Sequence, residues 1–433
     1  VLGIISLLFW FLSSSGKELE KRVPGTDTAG LEIEPSSQVS PESSAKLVKY
    51  DGVPADISGA WPRFLGENFD GISTEDIPLA NDWDEGEPKE IWGIDVGEGY
   101  AGAAILNGRV YVLDYIQEKQ MDAMRCLSLE NGREIWRFSY PIKIKRNHGM
   151  SRTIPAVNDK YVVGIGPKCH VICLNSTSGE LYWMLDLVKD FGTKVPPWYA
   201  GQCPLIDNDK VILAPAGDEA LMMSVDCATG EIIWKTPNPH AWKMTHSSII
   251  PMEFNGQRMY VYCGSGGVIG VSADDGSILW ETSEWKISIA TVPSPVIIGN
   301  DKIFLSGGYN AGSMMLQLKV EKGAGTSENS EIIPETIFRL KPGVFGSDQQ
   351  TPLFFEGYIY GVRPDGQLVC LNLDGELVWT SGNANRFGLG PYIIADRKIY
   401  VMNDSGLLTL AESTPEVYKQ LAQSQLLLKH LLQ

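Results

Sequence analysis

One phrase recurs along this chain: a strand-like apolar run, a polar turn with Gly, and a second run ending in Trp. It reads Asn131-Gly132-Arg133-Glu134-Ile135-Trp136, Thr177-Ser178-Gly179-Glu180-Leu181-Tyr182-Trp183, Thr229-Gly230-Glu231-Ile232-Ile233-Trp234, Asp275-Gly276-Ser277-Ile278-Leu279-Trp280 and Asp374-Gly375-Glu376-Leu377-Val378-Trp379. The tryptophans lie 47, 51, 46 and 99 residues apart, and Phe338 sits near the middle of the last, doubled interval. A strand-rich repeat of about 45–50 residues is the signature of a propeller. The fold expected is all-β: a β-propeller of four-stranded antiparallel blades.

Between successive phrases lies a hairpin signal. Asn107-Gly108, Asn158-Asp159, Asn208-Asp209, Asn255-Gly256, Asn300-Asp301, Glu356-Gly357 and Asp396-Arg397 separate apolar, β-branched and aromatic runs. Asn, Asp and Gly tolerate the positive φ that tight hairpins require. That gives seven first hairpins. The last-strand signals are Trp92, Trp136, Trp183, Trp234, Trp280, Phe338, Trp379 and an apolar stretch near Gln425–Leu428, one more than the hairpins. The surplus strand at Trp92 predicts seven blades plus one strand of an eighth; the alternative is a seven-bladed ring with a spare strand. In the fifth unit, the polar run 321–334 reads as a solvated hairpin loop.

Residues 61–433 are thus expected to form the propeller. Val1–Leu12 is apolar and leads into Ser13-Ser14-Ser15-Gly16, so residues 1–16 read as a signal-peptide core or the remnant of a membrane anchor; alone, the run is too short to span a bilayer. No Cys follows it to carry a lipid. Residues 17–60, rich in Pro, Ser, Glu and Gly, read as a flexible linker. An exported protein, periplasmic or extracellular and attachable through its N-terminus, is the expectation. The net charge of −17 argues against nucleic acid or an anionic membrane surface as partner. Seven Cys, none adjacent and none in C-x-x-C spacing, read as small buried residues rather than a disulfide framework.

The repeat resembles the tryptophan-docking repeat of pyrroloquinoline-quinone-type (PQQ-like) propellers, over roughly residues 61–428. That superfamily includes exported quinoprotein dehydrogenases and an outer-membrane-assembly scaffold. Trp61-Pro62-Arg63-Phe64-Leu65-Gly66 with Asp70-Gly71-Ile72 resembles the opening of a subgroup of it. The resemblance implies that Trp92, Trp136, Trp183, Trp234, Trp280 and Trp379 dock each blade against the next. The dehydrogenases use a vicinal Cys pair, acidic and amide ligands for Ca²⁺, and an Asp base. This sequence has no Cys-Cys pair.

Any chemistry must therefore sit in the loops that enter each first strand. Six of these are the least repeat-like parts of their units: 146–152, 196–202, 243–248, 286–291, 344–350 and 385–390. They gather His148, Arg152, Trp198, Tyr199, Gln202, His246, Asp348, Gln349 and Arg386. Such a set suits a small oxygen-rich or anionic ligand, with His and Arg donating and the rings stacking. The competing reading is that these groups satisfy buried loop backbone and trapped water. His148, His246 and Asp348 share no local ligand spacing, so no metal is expected. No cofactor is expected either, and no catalytic residue is assigned. The function expected is a non-catalytic scaffold binding a small polar ligand or a protein. The alternative is a PQQ- and Ca²⁺-dependent oxidoreductase acting on an alcohol or sugar.

Overall fold

The computed structural model describes residues 41–83, 86–322 and 330–426, all within one compact unit, Val39–Gln433. The apolar run at 1–16 lies outside the described residues. No described helix is long and apolar enough to cross a membrane.

Seven antiparallel sheets follow one another in chain order, each with four strands paired as sequence neighbours. They are the blades of a β-propeller. Blades 1 to 7 span residues 103–141, 156–186, 205–236, 250–282, 296–340, 353–380 and 392–425. First strands touch between blades 1 and 2, 2 and 3, 4 and 5, and 5 and 6, which places the first strands nearest the axis.

Blades are joined by a repeated local device. Opposite each docking aromatic on the neighbouring third strand stands one residue: Cys126 for Trp136, Cys173 for Trp183, Ser224 for Trp234, Gly270 for Trp280, Met315 for Phe338 and Cys370 for Trp379. In all seven blades the ladder slips immediately after this position, in blade 7 between Leu410 and Ala411. The bulge bends the outer strand, and in most blades a small partner leaves room for the indole. This residue lies on the third strand of each blade. All seven Cys are buried free thiols.

Each ring then reaches the turn of the following blade. A Cβ on Gly132, Gly179 or Gly230 would fall 2.6, 2.6 or 2.8 Å from the rings of Trp92, Trp136 or Trp183. These glycines also sit at φ of 69–76°, so both space and backbone exclude a larger residue. Indole N–H groups donate to carbonyls of the adjoining unit: Trp92 to Leu129 (2.8 Å), Trp183 to Cys227 (2.9 Å), Trp234 to Ala273 (3.3 Å) and Trp379 to Thr414 (2.8 Å). Trp136 lacks such a bond, because the corresponding carbonyl, that of Ser176, accepts from the Tyr111 hydroxyl instead. Phe338 takes the Trp place over Gly375. Trp280 departs from the series and donates to Met259 Sδ of its own blade at 3.2 Å.

Four features differ from the sequence expectation. Trp92 belongs to the series by its indole, but its backbone is in no strand. In the fifth unit the strands run further into 321–334 than expected: Gly312–Lys322 and Ser330–Leu340 pair through Lys322 and Ser330, while 323–329 lie outside the described residues. Across this ladder Val320 stands opposite Ile332 and Lys319 opposite Ile333. Asn158 and Asn300 do not take positive φ; in the fifth hairpin Gly299 does so at 62°. Finally, part of the expected linker is ordered. Lys46–Lys49 pairs with the outer strand of blade 1, making that sheet five-stranded. Leu47 joins the apolar cluster around Trp136, giving this short strand its anchor.

From that strand the chain runs inward beneath blade 1. Tyr50, Gly52 and Ala55 donate backbone bonds to Ile135, Glu134 and Gly108. Residues 61–73 then cross the axis at the end where first strands finish. Trp61 and Ile105 exchange backbone bonds of 2.8 Å, Val157 N–H donates to Pro62 (2.8 Å), Ser73 N–H to Ile394 (2.8 Å) and Ile394 N–H to Gly71 (3.0 Å). One short segment thereby ties blades 1, 2 and 7.

Candidate functional site

With one end of the axis crossed by chain, the loops entering the first strands define the other. The structure divides the predicted residues into two groups there, and leaves some out.

Arg152, Trp198, Tyr199 and His246, from three successive loops, form the first group. The guanidinium of Arg152 lies 5.1 Å above the ring of Tyr100, a residue the sequence reading missed. Its NH2 donates to the carbonyls of Asn147 (3.3 Å) and His148. Its buried Nε has no partner, and no carboxylate pairs with it among the described residues. Burial without a counter-ion holds the guanidinium below its ordinary pKa, partly offset by the Tyr100 and Tyr199 hydroxyls. His246 stacks obliquely on Trp198, with centroids 6.2 Å apart at 46°. Burial, and then the Arg152 charge, push its imidazole down to about 4, so the ring is neutral at physiological pH. Gly201 makes room for it: a Cβ there would approach His246 Nδ1 to 2.5 Å. The Tyr199 backbone is left-handed at φ 69°, and its hydroxyl donates to the Lys145 carbonyl.

Asp348 and Gln349 belong to the second group. They line an open cleft of about 510 Å³ with Tyr309, Asn310, Arg363 and Asp365. Burial raises the Asp348 carboxyl, opposed by the N–H of Tyr309. The turns at 309–310 and 363–366 also escaped the sequence reading. They join second to third strands, whereas only loops entering first strands had been gathered, although both kinds protrude at the same end of an up-and-down sheet.

Three predicted residues do other work. Gln202 is fully buried and clamps Ala214, accepting from its N–H (3.0 Å) and donating to its carbonyl (3.3 Å). The exposed side chain of Arg386 bonds Asn383 Oδ1 at 3.1 Å. His148 is exposed and contributes its carbonyl to Arg152. Outside the loops, His170 is buried near Asp186 (3.6 Å), and burial lowers its pKa.

The repeats match the family PQQ_2, described as outer membrane protein assembly factor BamB, over residues 120–333. This chain is a propeller of PQQ-like repeats. No curated protein matches its sequence. Among solved structures, BamB from Moraxella catarrhalis is 13% identical, covers 75% of this chain and 87% of its own, and superposes with a TM-score of 0.51. A europium-containing methanol dehydrogenase is also 13% identical, covers 85% of both chains and gives 0.55. At that identity the likeness shows the fold.

A quinone site with its cation needs several ligands grouped at one place. Among the described residues no three His, Cys, Asp or Glu side chains are placed to hold a metal ion. The seven thiols are each buried and single. No cofactor or metal site is shown among the described residues.

Proposed function

We propose that this protein is a non-catalytic, exported propeller that binds a ligand or a protein partner at the loop end of its axis. The observation that carries the reading is Arg152: a largely buried guanidinium with no carboxylate, next to a neutral imidazole and an indole face. Burying an uncompensated charge costs several kcal/mol. At Arg152 two loop carbonyls and the Tyr100 ring offset part of that cost, and a bound anion would offset more. The group that fits is an oxygen-rich anion, above all a carboxylate, taken by Arg152 through a charge-assisted bond and flanked by Trp198 and Tyr199. Gln202 and the His148 carbonyl shape the loops, and Arg386 stands apart. The family description of an outer-membrane assembly factor supports a scaffold and an exported location.

The discriminating experiment adds pyrroloquinoline quinone and Ca²⁺ to the full chain and follows dye reduction by alcohols and sugars. The reading expects no turnover above the blank. Saturable quinone binding with alcohol-dependent reduction would establish an oxidoreductase instead.

A further inference from the structure

We infer that the cleft bounded by Tyr309, Asp348 and Asp365 is a socket for a lysine or arginine side chain presented by a protein partner. The inference takes the protein as a binding propeller but does not depend on Arg152.

The cleft holds two carboxylates and one guanidinium. Arg363 is committed to Asp365 by two bonds, Nε to Oδ1 at 2.9 Å and NH2 to Oδ2 at 2.8 Å. Gln367 adds a third, Nε2 to Asp365 Oδ2 at 2.7 Å, and its backbone N–H a fourth at 3.1 Å. That pair is internally satisfied and neutral. Asp348 is different: half-buried, it has no cation among the described residues and receives the N–H of Tyr309. Its charge is the unbalanced one, so the complementary guest is a cation.

The wall beside it suits the same guest. Tyr309 and Asn310 both take left-handed backbone, at φ 54° and 66°. Asn tolerates that region, whereas Tyr309 is held in it by the turn. The turn leaves the Tyr309 ring 41% exposed at the cleft edge. A ring face beside a lone carboxylate receives guanidinium or ammonium by cation–π contact and ion pairing together. Pro342, Pro364 and Leu389 supply apolar walls for the methylene stem. The cleft exceeds the volume of one side chain and is open, which accommodates flanking residues of a polypeptide. The whole-chain charge of −17 draws a basic segment toward it.

The test is calorimetric titration of the full chain with the peptide amide Gly-Gly-Arg-Gly-Gly and its citrulline counterpart, which keeps the shape and loses the charge. The arginine peptide should bind saturably to wild type. Binding should weaken at least tenfold for the citrulline peptide and for Asp348→Asn. Arg152→Gln should leave it unchanged, which separates this site from the anion site. Spermidine is titrated in parallel. Absence of saturable binding, equal affinity for the two peptides, or an unchanged affinity in a folded Asp348→Asn variant would overturn the inference. So would spermidine binding more tightly than the peptide, since the occupant would then be a free polyamine.

Discussion

The two ends of the propeller axis use polar groups in opposite ways. Where residues 61–73 cross, backbone-to-backbone bonds between 2.8 and 3.0 Å tie three blades, and the half-buried Arg63, whose buried Nε has no partner, lies over the Phe69 ring of the same segment. At the loop end, Arg152 Nε has no partner and Asp348 has no counter-ion. Backbone pairing dominates at the first end, whereas at the loop end Arg152 is grouped with the His246 and Trp198 rings and Asp348 lines an open cleft. The contrast separates residues that assemble the molecule from residues that use it.

The largest effect should come from the seams that support both ends. Trp183→Ala removes a buried indole and its bond to Cys227, and should cost about 3–5 kcal/mol in denaturant unfolding. An unchanged midpoint would mean that the seam does not hold the blades. The crossing segment comes next. Gly71→Val places a β-branched residue at φ 74° with its Cβ against Leu353, for an expected loss of about 2–4 kcal/mol. Anion binding at the far end should survive in that variant. If both fall together, the two ends are not independent.

A smaller effect lies inside the seam of blades 1 and 2. Asp122 is fully buried and accepts from the Tyr140 hydroxyl at 2.5 Å, while its Oδ1 has no partner. Burial raises its carboxyl to about 7. The folded state then holds a proton that the unfolded chain, with an ordinary carboxyl near 4, releases earlier. Stability from this group is present below about pH 4 and is lost as pH rises toward 7. At about 1.4 kcal/mol per pKa unit, the loss is at most roughly 4 kcal/mol. His170 and His246, both lowered, act oppositely at acid pH, so the comparison must be with Asp122→Asn. The stability of Asp122→Asn relative to wild type should rise from pH 4 to 7; a flat difference would contradict the assignment.

The scaffold was legible in the sequence because its devices are local. Gly179 and Trp183 repeat at fixed spacing since each blade solves the same packing problem. Lys46–Lys49 was not legible, because four residues in a polar stretch become a strand only when the edge of blade 1 is available. The strands around 321–334 were missed for a related reason: Pro334 and charged neighbours look like a loop, yet an outer edge strand tolerates both. The loop residues were legible as a set but not as sites. Arg152 and His246 meet because blades 2 to 4 are adjacent, and Gln202 turns inward to Ala214, which no spacing reveals. Tyr100, Tyr309 and Arg363 lay in segments whose reach depends on the closed ring.

The most direct measurement is calorimetric titration of wild type and Arg152→Gln with citrate and galacturonate between pH 5 and 8. Saturable binding in wild type, at least tenfold weaker in the variant, is predicted. The affinity for galacturonate, which is fully ionised throughout, should be flat across that range because His246 stays neutral, and the unfolding midpoint of Arg152→Gln should be unchanged or slightly raised. Equal heats in the two proteins, or a folded state that collapses without Arg152, would contradict the account by making that guanidinium a structural group.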